Sequence, residues 1–303
     1  MTAVPSPARS SVLRATAIGT VAILMWATLA PLATLARMVP PFQMVALSFG
    51  IAFLIGSLWS LAHGESPFRH FRQPAALWGI SVGGLFGFHF LYFLSLRLAP
   101  PVEANLINYL WPLLIVLFSA LLPGERLKAR HVVGALLGLG GTMLLITRGA
   151  GLTVSLEHLP GYTLALASAF TWAGYSVLRR RLGEAPTEAV TGFCLATSAL
   201  AALCHLAWET TVWPDTAGGW AALTALGIGP VGAAFFVWDY GVRHGDIRAL
   251  GALSYAAPLL STILLVVFGL AAGHWTVWAA CLLIAGGSLL ASSDLFRKEG
   301  QPS

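Results

Sequence analysis

The sequence predicts an all-α membrane protein: ten transmembrane helices, laid out as two inverted five-helix repeats around a central cavity. Three observations carry that prediction. The first is composition. Of 303 residues, 57% are hydrophobic and only 10% charged, whereas a soluble domain carries charge on about 25% of its residues. The second is a series of ten apolar runs, near 13–36, 42–62, 75–97, 101–122, 130–148, 159–179, 187–208, 219–241, 248–270 and 275–295. Each is close to the roughly 20 residues that cross hydrocarbon as a helix. The third is a constant register between the two halves of the chain. Backbone polar groups in lipid must be satisfied within their own segment, so the runs are helices.

The first run follows Arg9 and Arg14 and has no small-residue cleavage site, so it is expected to be retained and not removed as a signal peptide. Connections between the runs are short and leave no room for a separate soluble domain. Counting Lys and Arg in alternate connections puts three on one side, Arg37, Arg97 and Arg148. Fourteen fall on the other, among them Arg126, Lys128, Arg180, Arg297 and Lys298. The basic side is cytoplasmic, and ten runs then leave both termini in the cytoplasm. The net charge of +5 is this asymmetry, and no nucleic-acid partner is needed to explain it. Cys194, Cys204 and Cys281 lie inside runs, behave as small apolar residues and imply no disulfide framework.

The repeat is legible in two stretches, "NYLWPLL" at 108–114 and "SYAAPLL" at 254–260. The offset from Tyr109 to Tyr255 is 146, and so is that from Pro112 to Pro258. The same offset relates Trp26 to Trp172, Phe90 to Phe236, Arg97 to Arg243, and "GGTMLL" from Gly140 to "GGSLLA" from Gly286, with no gap anywhere. Residues 1–150 and 151–303 are therefore expected to be two repeats. Five spans per half is an odd number, so the second half enters the bilayer upside down. Inverted repeats are typical of secondary transporters, whose substrate site lies near the midplane at the repeat interface. Duplication kept only for helix packing is the alternative.

In the fourth run Asn105, Asn108, Tyr109 and Pro112 share one helix face; in the ninth, Gly251, Ser254, Tyr255 and Pro258 do. Polar side chains at bilayer depth face an interior or a water-filled cavity. Each proline removes the bond to the carbonyl four residues earlier, those of Asn108 and Ser254. Two symmetry-related broken helices, with freed carbonyls, are thus expected to frame one site. Tolerated kinks with re-satisfied carbonyls are the bland alternative. Trp59, Trp78, Trp208, Trp213, Trp220, Trp238, Trp275 and Trp278 sit near span ends, where an aromatic belt explains them.

Trp26, Trp111 and Trp172 lie toward the bilayer centre instead. The sixth run adds Ser168, Thr171 and Tyr175, and the third adds Phe88, His89 and Tyr92. Such aromatic surfaces with few polar handles suit a flat, partly apolar solute; ordinary core packing is the competing account. His89 is a candidate ligand contact or proton carrier, or a satisfied packing histidine. His205, close to Trp208, reads as interfacial.

No span carries a carboxylate at its centre. Asp239 lies toward the inner end of its run and is spaced to pair with Arg243, i to i+4. The absence of a central acid disfavours proton-coupled export of cations. No GxxxxGK[ST] run occurs, so the chain does not hydrolyse nucleotides itself. "GISVG" at 79–83 fits a G-x-S-x-G pattern but opens a membrane helix and not a strand-to-helix turn. Gly79, Gly83 and Gly87 read as a small-residue packing face, as do Gly134 and Gly138. An enzyme is not expected, nor is a cofactor or metal.

With "YLWPLLIVLFSALLPGERL" at 109–127 and "YAAPLLSTILLVVFGLAAGHWT" at 255–276, the chain resembles the EamA-type carriers of the drug/metabolite transporter superfamily over nearly its whole length. "FGFHFLYF" at 86–93 and "INYLWP" at 107–112 are most similar to the aromatic amino-acid exporter branch. That resemblance implies outward movement of phenylalanine, tyrosine, tryptophan and related compounds across a bacterial inner membrane. There are departures. Gly124 and Glu125 become Leu270 and Ala271 in the second half, and Glu125 beside Arg126 reads as a surface ion pair. Four-span relatives that pump cationic drugs carry a glutamate in the first span, where this chain has Trp26.

Taken together, the sequence is expected to encode a multi-pass exporter working by alternating access. Its site is expected from Phe88, His89, Tyr92, Asn108, Tyr109, Trp111, Trp172, Tyr175, Ser254 and Tyr255. Pro112, Pro258, Gly227, Gly229 and Gly232 are expected to absorb the bend. Export of another neutral metabolite or drug is the alternative within transport; a membrane enzyme or a lipid scramblase lies outside it. Proton antiport through His89, facilitated diffusion and exchange all fit the sequence. Membrane lipid and a small solute are the expected partners, and a monomer is compatible with the sequence.

Overall fold

The computed structural model describes residues 9–150, 155–182, 185–269 and 273–293. Leu270, Ala271, Arg297 and Lys298, named above, lie outside them. Among the described residues the chain is helical throughout, with no strand. In chain order the helices are α1 (Ser10–Leu35), α2 (Pro41–Ala62), α3 (Ala75–Leu98), α4 (Pro101–Leu121), α5 (Ala129–Thr147), α6 (Leu159–Arg181), α7 (Thr187–Trp208), α8 (Ala217–His244), α9 (Ile247–Val267) and α10 (Trp275–Ala291). Among the described residues eight of these, all but α6 and α10, are long and apolar enough to cross a membrane.

Several helices are interrupted, and the interruptions recur. Single π-turns occupy Gly83–Gly87 in α3 and Gly229–Ala233 in α8, 146 positions apart. α4 breaks at Tyr109–Leu110 and α9 at Ser254–Tyr255, ahead of Pro112 and Pro258. Proline cannot donate to the turn before it, and π-turns cluster where a helix serves a site. In α4 the break frees the N–H of Leu113, which donates to the Tyr255 hydroxyl at 3.2 Å. In α9 the Ser254 carbonyl accepts from the N–H of Ala257 at 3.1 Å. That carbonyl is therefore not left for a solute, contrary to the sequence expectation, because the chain tightens locally to satisfy it.

Helices pack in pairs, α5 with α10, α2 with α7, α1 with α8 and α3 with α6. Small residues set the closest approaches. A Cβ on Gly134 would lie 2.4 Å from the Gly287 carbonyl oxygen, and one on Gly138 would lie 2.4 Å from the Tyr255 ring. Of the expected packing face on α3, Gly87 lies against Thr171 while Gly79 and Gly83 face open space; the closest approach is at Gly84, where a Cβ would lie 2.4 Å from the Tyr175 ring.

Outward faces carry large apolar side chains, including Leu54 and Leu58 on α2, Leu203 and Leu206 on α7, and Leu282 and Leu289 on α10. A multi-pass membrane protein presents such faces to lipid tails, where their exposure carries no hydrophobic penalty. Trp59, Trp208, Trp213, Trp220, Trp275 and Trp278 are exposed, as a belt requires. Trp78, near the start of α3, is half-buried and packs edge-on against Phe193. Trp238 is not in the belt: it is fully buried, because α8 turns that side inward.

Candidate functional site

The core of the bundle holds a cavity of about 240 Å³. Its lining includes Trp26, Ala30 and Ala33 from α1, Met44, Val45 and Ser48 from α2, Phe88, His89, Tyr92 and Phe93 from α3, and Asn105, Asn108, Tyr109 and Trp111 from α4. Trp172 from α6, Pro230 and Phe235 from α8, and Ala257 and Ser261 from α9 complete the main walls. No Asp, Glu, Lys or Arg lines it.

Indoles dominate one end. Trp26 lies 6.0 Å from Trp111, 5.7 Å from Trp172 and 5.0 Å from Trp238, ring centre to ring centre. Trp172 also meets Phe88 at 5.5 Å and Phe235 at 5.7 Å. These edge-on and tilted contacts suit ring quadrupoles better than face-to-face sandwiches. Two indole N–H groups are anchored: Trp26 Nε1 donates to the Pro230 carbonyl at 3.0 Å, and Trp238 Nε1 donates to Ser176 Oγ at 3.1 Å. The α8 π-turn thus supplies the carbonyl that holds Trp26.

The polar groups are mostly spoken for. Tyr92 donates its hydroxyl proton to Asn105 Oδ1. Ser168 Oγ lies 2.8 Å from Asn108 Oδ1 and leaves the Asn108 amide N–H groups as donors. His89 Nδ1 is 2.7 Å from the Leu85 carbonyl, which fixes that nitrogen as the donor and leaves Nε2 as acceptor. The imidazole lies edge-on to Phe49 and Phe88, at 5.4 Å and 5.2 Å. A wall of this kind offers stacking surfaces and a few neutral donors and acceptors. Among the described residues no group of three or more His, Cys, Asp or Glu side chains is disposed to hold a metal.

Seven of the ten expected site residues meet at this cavity: Phe88, His89, Tyr92, Asn108, Tyr109, Trp111 and Trp172. Three do not. Tyr175 is buried against Gly84 behind Trp172, Tyr255 is buried against Gly138, and the Ser254 hydroxyl donates to the Leu250 carbonyl at 2.7 Å. Tyr175 and Tyr255 are drawn aside by glycines of other helices and Ser254 by a carbonyl of its own, none of which periodicity reveals. Of the expected bending positions, Pro112 and Pro258 sit at the breaks and Gly229 and Gly232 in the π-turn, while Gly227 packs against Ile51. The sequence reading omitted Phe235, which lines the cavity, and named Trp26 without placing it in the site; Trp238 backs Trp26 and Trp172 from behind the wall. The signal was present, because these are the repeat mates of His89, Tyr92 and Trp172 at an offset of 146.

Beneath the indoles lies a charged layer. Arg179 Nε is 2.6 Å from Asp239 Oδ1, both side chains fully buried, and Thr187 Oγ1 donates to Asp239 Oδ2 at 3.0 Å. The expected Arg243 contact with Asp239 is present at 3.4 Å but is the longer of the two. Glu125 does not pair with Arg126. It bridges Arg180 at 2.8 Å and Arg248 at 3.2 Å. Near the end of α7, His205 is buried between Glu209 at 2.9 Å and Thr211 at 2.8 Å. The Glu209 carboxylate accepts from the N–H groups of Phe42 and Gln43, both at 3.0 Å, where the N-terminus of α2 favours an anion.

Comparison with known proteins gives consistent matches. The model of the EamA-like transporter family matches residues 14–147 and again 159–293. A protein of Ancylobacter novellus named aromatic amino acid exporter YddG is 54% identical over 279 residues, covering 92% of this chain and 96% of its own. The Escherichia coli protein of the same name is 28% identical over 295 residues, covering 91% and 96%. A solved crystal structure superposes with a TM-score of 0.88 at 52% identity, covering 94% of this chain and 99% of its own.

Proposed function

The chain belongs to the EamA-like transporter family, and from that premise we propose that it exports aromatic amino acids from the bacterial cytoplasm by alternating access. The observation that carries the reading is the cavity itself, uncharged and walled by indole and phenyl rings. A flat aromatic side chain stacks there, while the ammonium and carboxylate of the same molecule meet Asn108, Tyr109, His89 Nε2 and ordered water. A formal charge on the wall would favour one pole of the zwitterion and oppose the other. Relatives of high identity bear the name of an aromatic amino acid exporter, which supports the same substrate class.

In this reading ten helices span the inner membrane, with both termini cytoplasmic. Residues 1–150 and 151–303 form inverted halves. The double match of the family model and the recurrence of π-turns at one register support that layout. Pro112, Pro258 and the Gly229–Ala233 turn absorb the bend as the halves rock.

The test is uptake of labelled tryptophan into proteoliposomes, with phenylalanine and alanine as competitors. Phenylalanine is expected to compete and alanine is not. Competition by alanine as effective as by phenylalanine sinks the substrate assignment. Trp111→Ala is expected to narrow the preference for tryptophan over alanine by about tenfold, the equivalent of one or two lost aromatic contacts; an unchanged preference counts against the aromatic pocket.

In this reading His89 acts as a hydrogen-bond partner, its Nδ1 held by the Leu85 carbonyl and its Nε2 presented to the solute. His89→Asn is accordingly expected to leave any effect of a pH gradient on tryptophan flux intact. Loss of a gradient effect that the wild type displays would assign His89 the carrier role instead.

A further inference from the structure

The register that relates the two halves also relates an open part of the molecule to a shut one. Moving 146 positions along the chain carries Ala30 to Ser176, Ala33 to Arg179, Tyr92 to Trp238 and Phe93 to Asp239. The first four residues, on α1 and α3, line the cavity. The second four, on α6 and α8, are buried in mutual contact: Trp238 bonds to Ser176, and Arg179 pairs with Asp239. The same two-helix contact is therefore open at one end of the cavity and closed at the other.

We infer that α6–α8 and α1–α3 are the two gates of this carrier and that they differ in chemistry. One is locked by the buried Arg179–Asp239 ion pair; the other closes by bringing Ala30 and Ala33 against Tyr92 and Phe93. The inference rests on the alternating-access reading above. A second charged contact reinforces the locked gate. Glu125, just beyond α4, grips Arg180 of α6 and Arg248 of α9, and Arg180 also donates to the Val242 carbonyl of α8 at 3.1 Å. The repeat mates of Glu125, Arg180 and Arg248 are Ala271, Thr34 and Val102, none of them charged.

The asymmetry has an energetic consequence. A buried ion pair is costly to break from one side, because the remaining charge is stranded without water. When α6 and α8 part, both groups regain water. Removing Asp239 therefore destabilises the locked state and spares the alternative one. The ion pair sets which end of the carrier rests closed, and the apolar gate supplies no counterweight of the same kind.

The test reads gate position without substrate. In a background with Cys194, Cys204 and Cys281 changed to alanine, Ala33→Cys is expected to react with a membrane-impermeant maleimide from the open side. Adding Asp239→Asn is expected to slow that labelling by at least about tenfold as the population shifts. Labelling at an unchanged rate overturns the inference, whatever the substrate proves to be. Should Asp239→Asn fail to fold, Ala33→Trp provides the second arm, because its side chain occupies existing open space. It blocks closure of α1 on α3 and is expected to cut tryptophan flux to below about a tenth of wild type, as overpacking a closed contact costs more than one decade. Leu35→Trp, at an exposed position of the same helix that does not line the cavity, is expected to transport normally. Wild-type flux in Ala33→Trp overturns the apolar gate. A wild-type protein that moves no tryptophan, with labelling that responds to Asp239→Asn, instead refutes the substrate assignment and leaves the gates standing.

Discussion

Trp172→Ala is expected to lose both stability and selectivity. Trp172 is the hub of the ring cluster, in contact with Trp26, Trp111, Trp238, Phe88, Phe235 and Tyr175 at centroid distances between 5.3 and 6.3 Å. Truncation removes a buried indole whose neighbours are pinned by their own bonds, Trp26 to Pro230 and Trp238 to Ser176. They cannot collapse into the space, and a cavity of that kind costs about 3–5 kcal/mol. Thermal unfolding in detergent, followed by loss of monodispersity, checks the first effect. Competition by alanine against labelled tryptophan checks the second, and the preference is expected to fall by about tenfold or more. Trp172→Phe should recover most of the stability and part of the preference. An alanine variant with wild-type melting and selectivity would remove the indole cluster from both roles.

Gly134→Leu is expected to be the most damaging single change outside the cavity. The position faces the Gly287 carbonyl oxygen and the Ala291 backbone, so any side chain meets main-chain atoms that have no rotamer to offer. The α5–α10 pair must separate, with a cost upwards of about 3 kcal/mol, at the severe end of overpacking. Separation also loosens Tyr255, which is wedged between Gly138 and the Leu113 N–H. The expected readout is a sharp fall in folded yield, with flux per folded molecule near wild type. Gly140→Leu on the same helix meets open space and is expected to change little. Equal yields for the two variants would refute the close-packed interface.

Some of the site was legible for plain reasons. His89, Asn108 and Tyr109 are polar at the middle of long apolar runs, where lipid contact is costly, and Phe88 adjoins His89. Tyr175, Ser254 and Tyr255 satisfied the same rule and still lie off the cavity: the two rings fill space against Gly84 and Gly138, and the Ser254 hydroxyl turns back to the Leu250 carbonyl of its own helix. Glycine 84 and Gly138 make room for two of them, and no periodicity in α6 or α9 advertises that room. Phe235 is hidden for a different reason: a phenylalanine does not stand out in an apolar run, and only its place as the repeat mate of His89 marks it.

By itself the sequence determined the class of the protein: helices in lipid, a basic side, and a duplicated register that survives from Trp26 with Trp172 to Gly140 with Gly286. These follow from composition and spacing, since burial of backbone polar groups and the cost of charge in hydrocarbon act on each segment alone. Only the tertiary structure decided which of two equivalent contacts is shut. Arg179 and Asp239 lie 60 positions apart in the numbering, and Glu125 is farther still from Arg248. Their pairing depends on how α6, α8 and α9 converge, and the sum of those contacts, not any local pattern, breaks the symmetry the sequence had written.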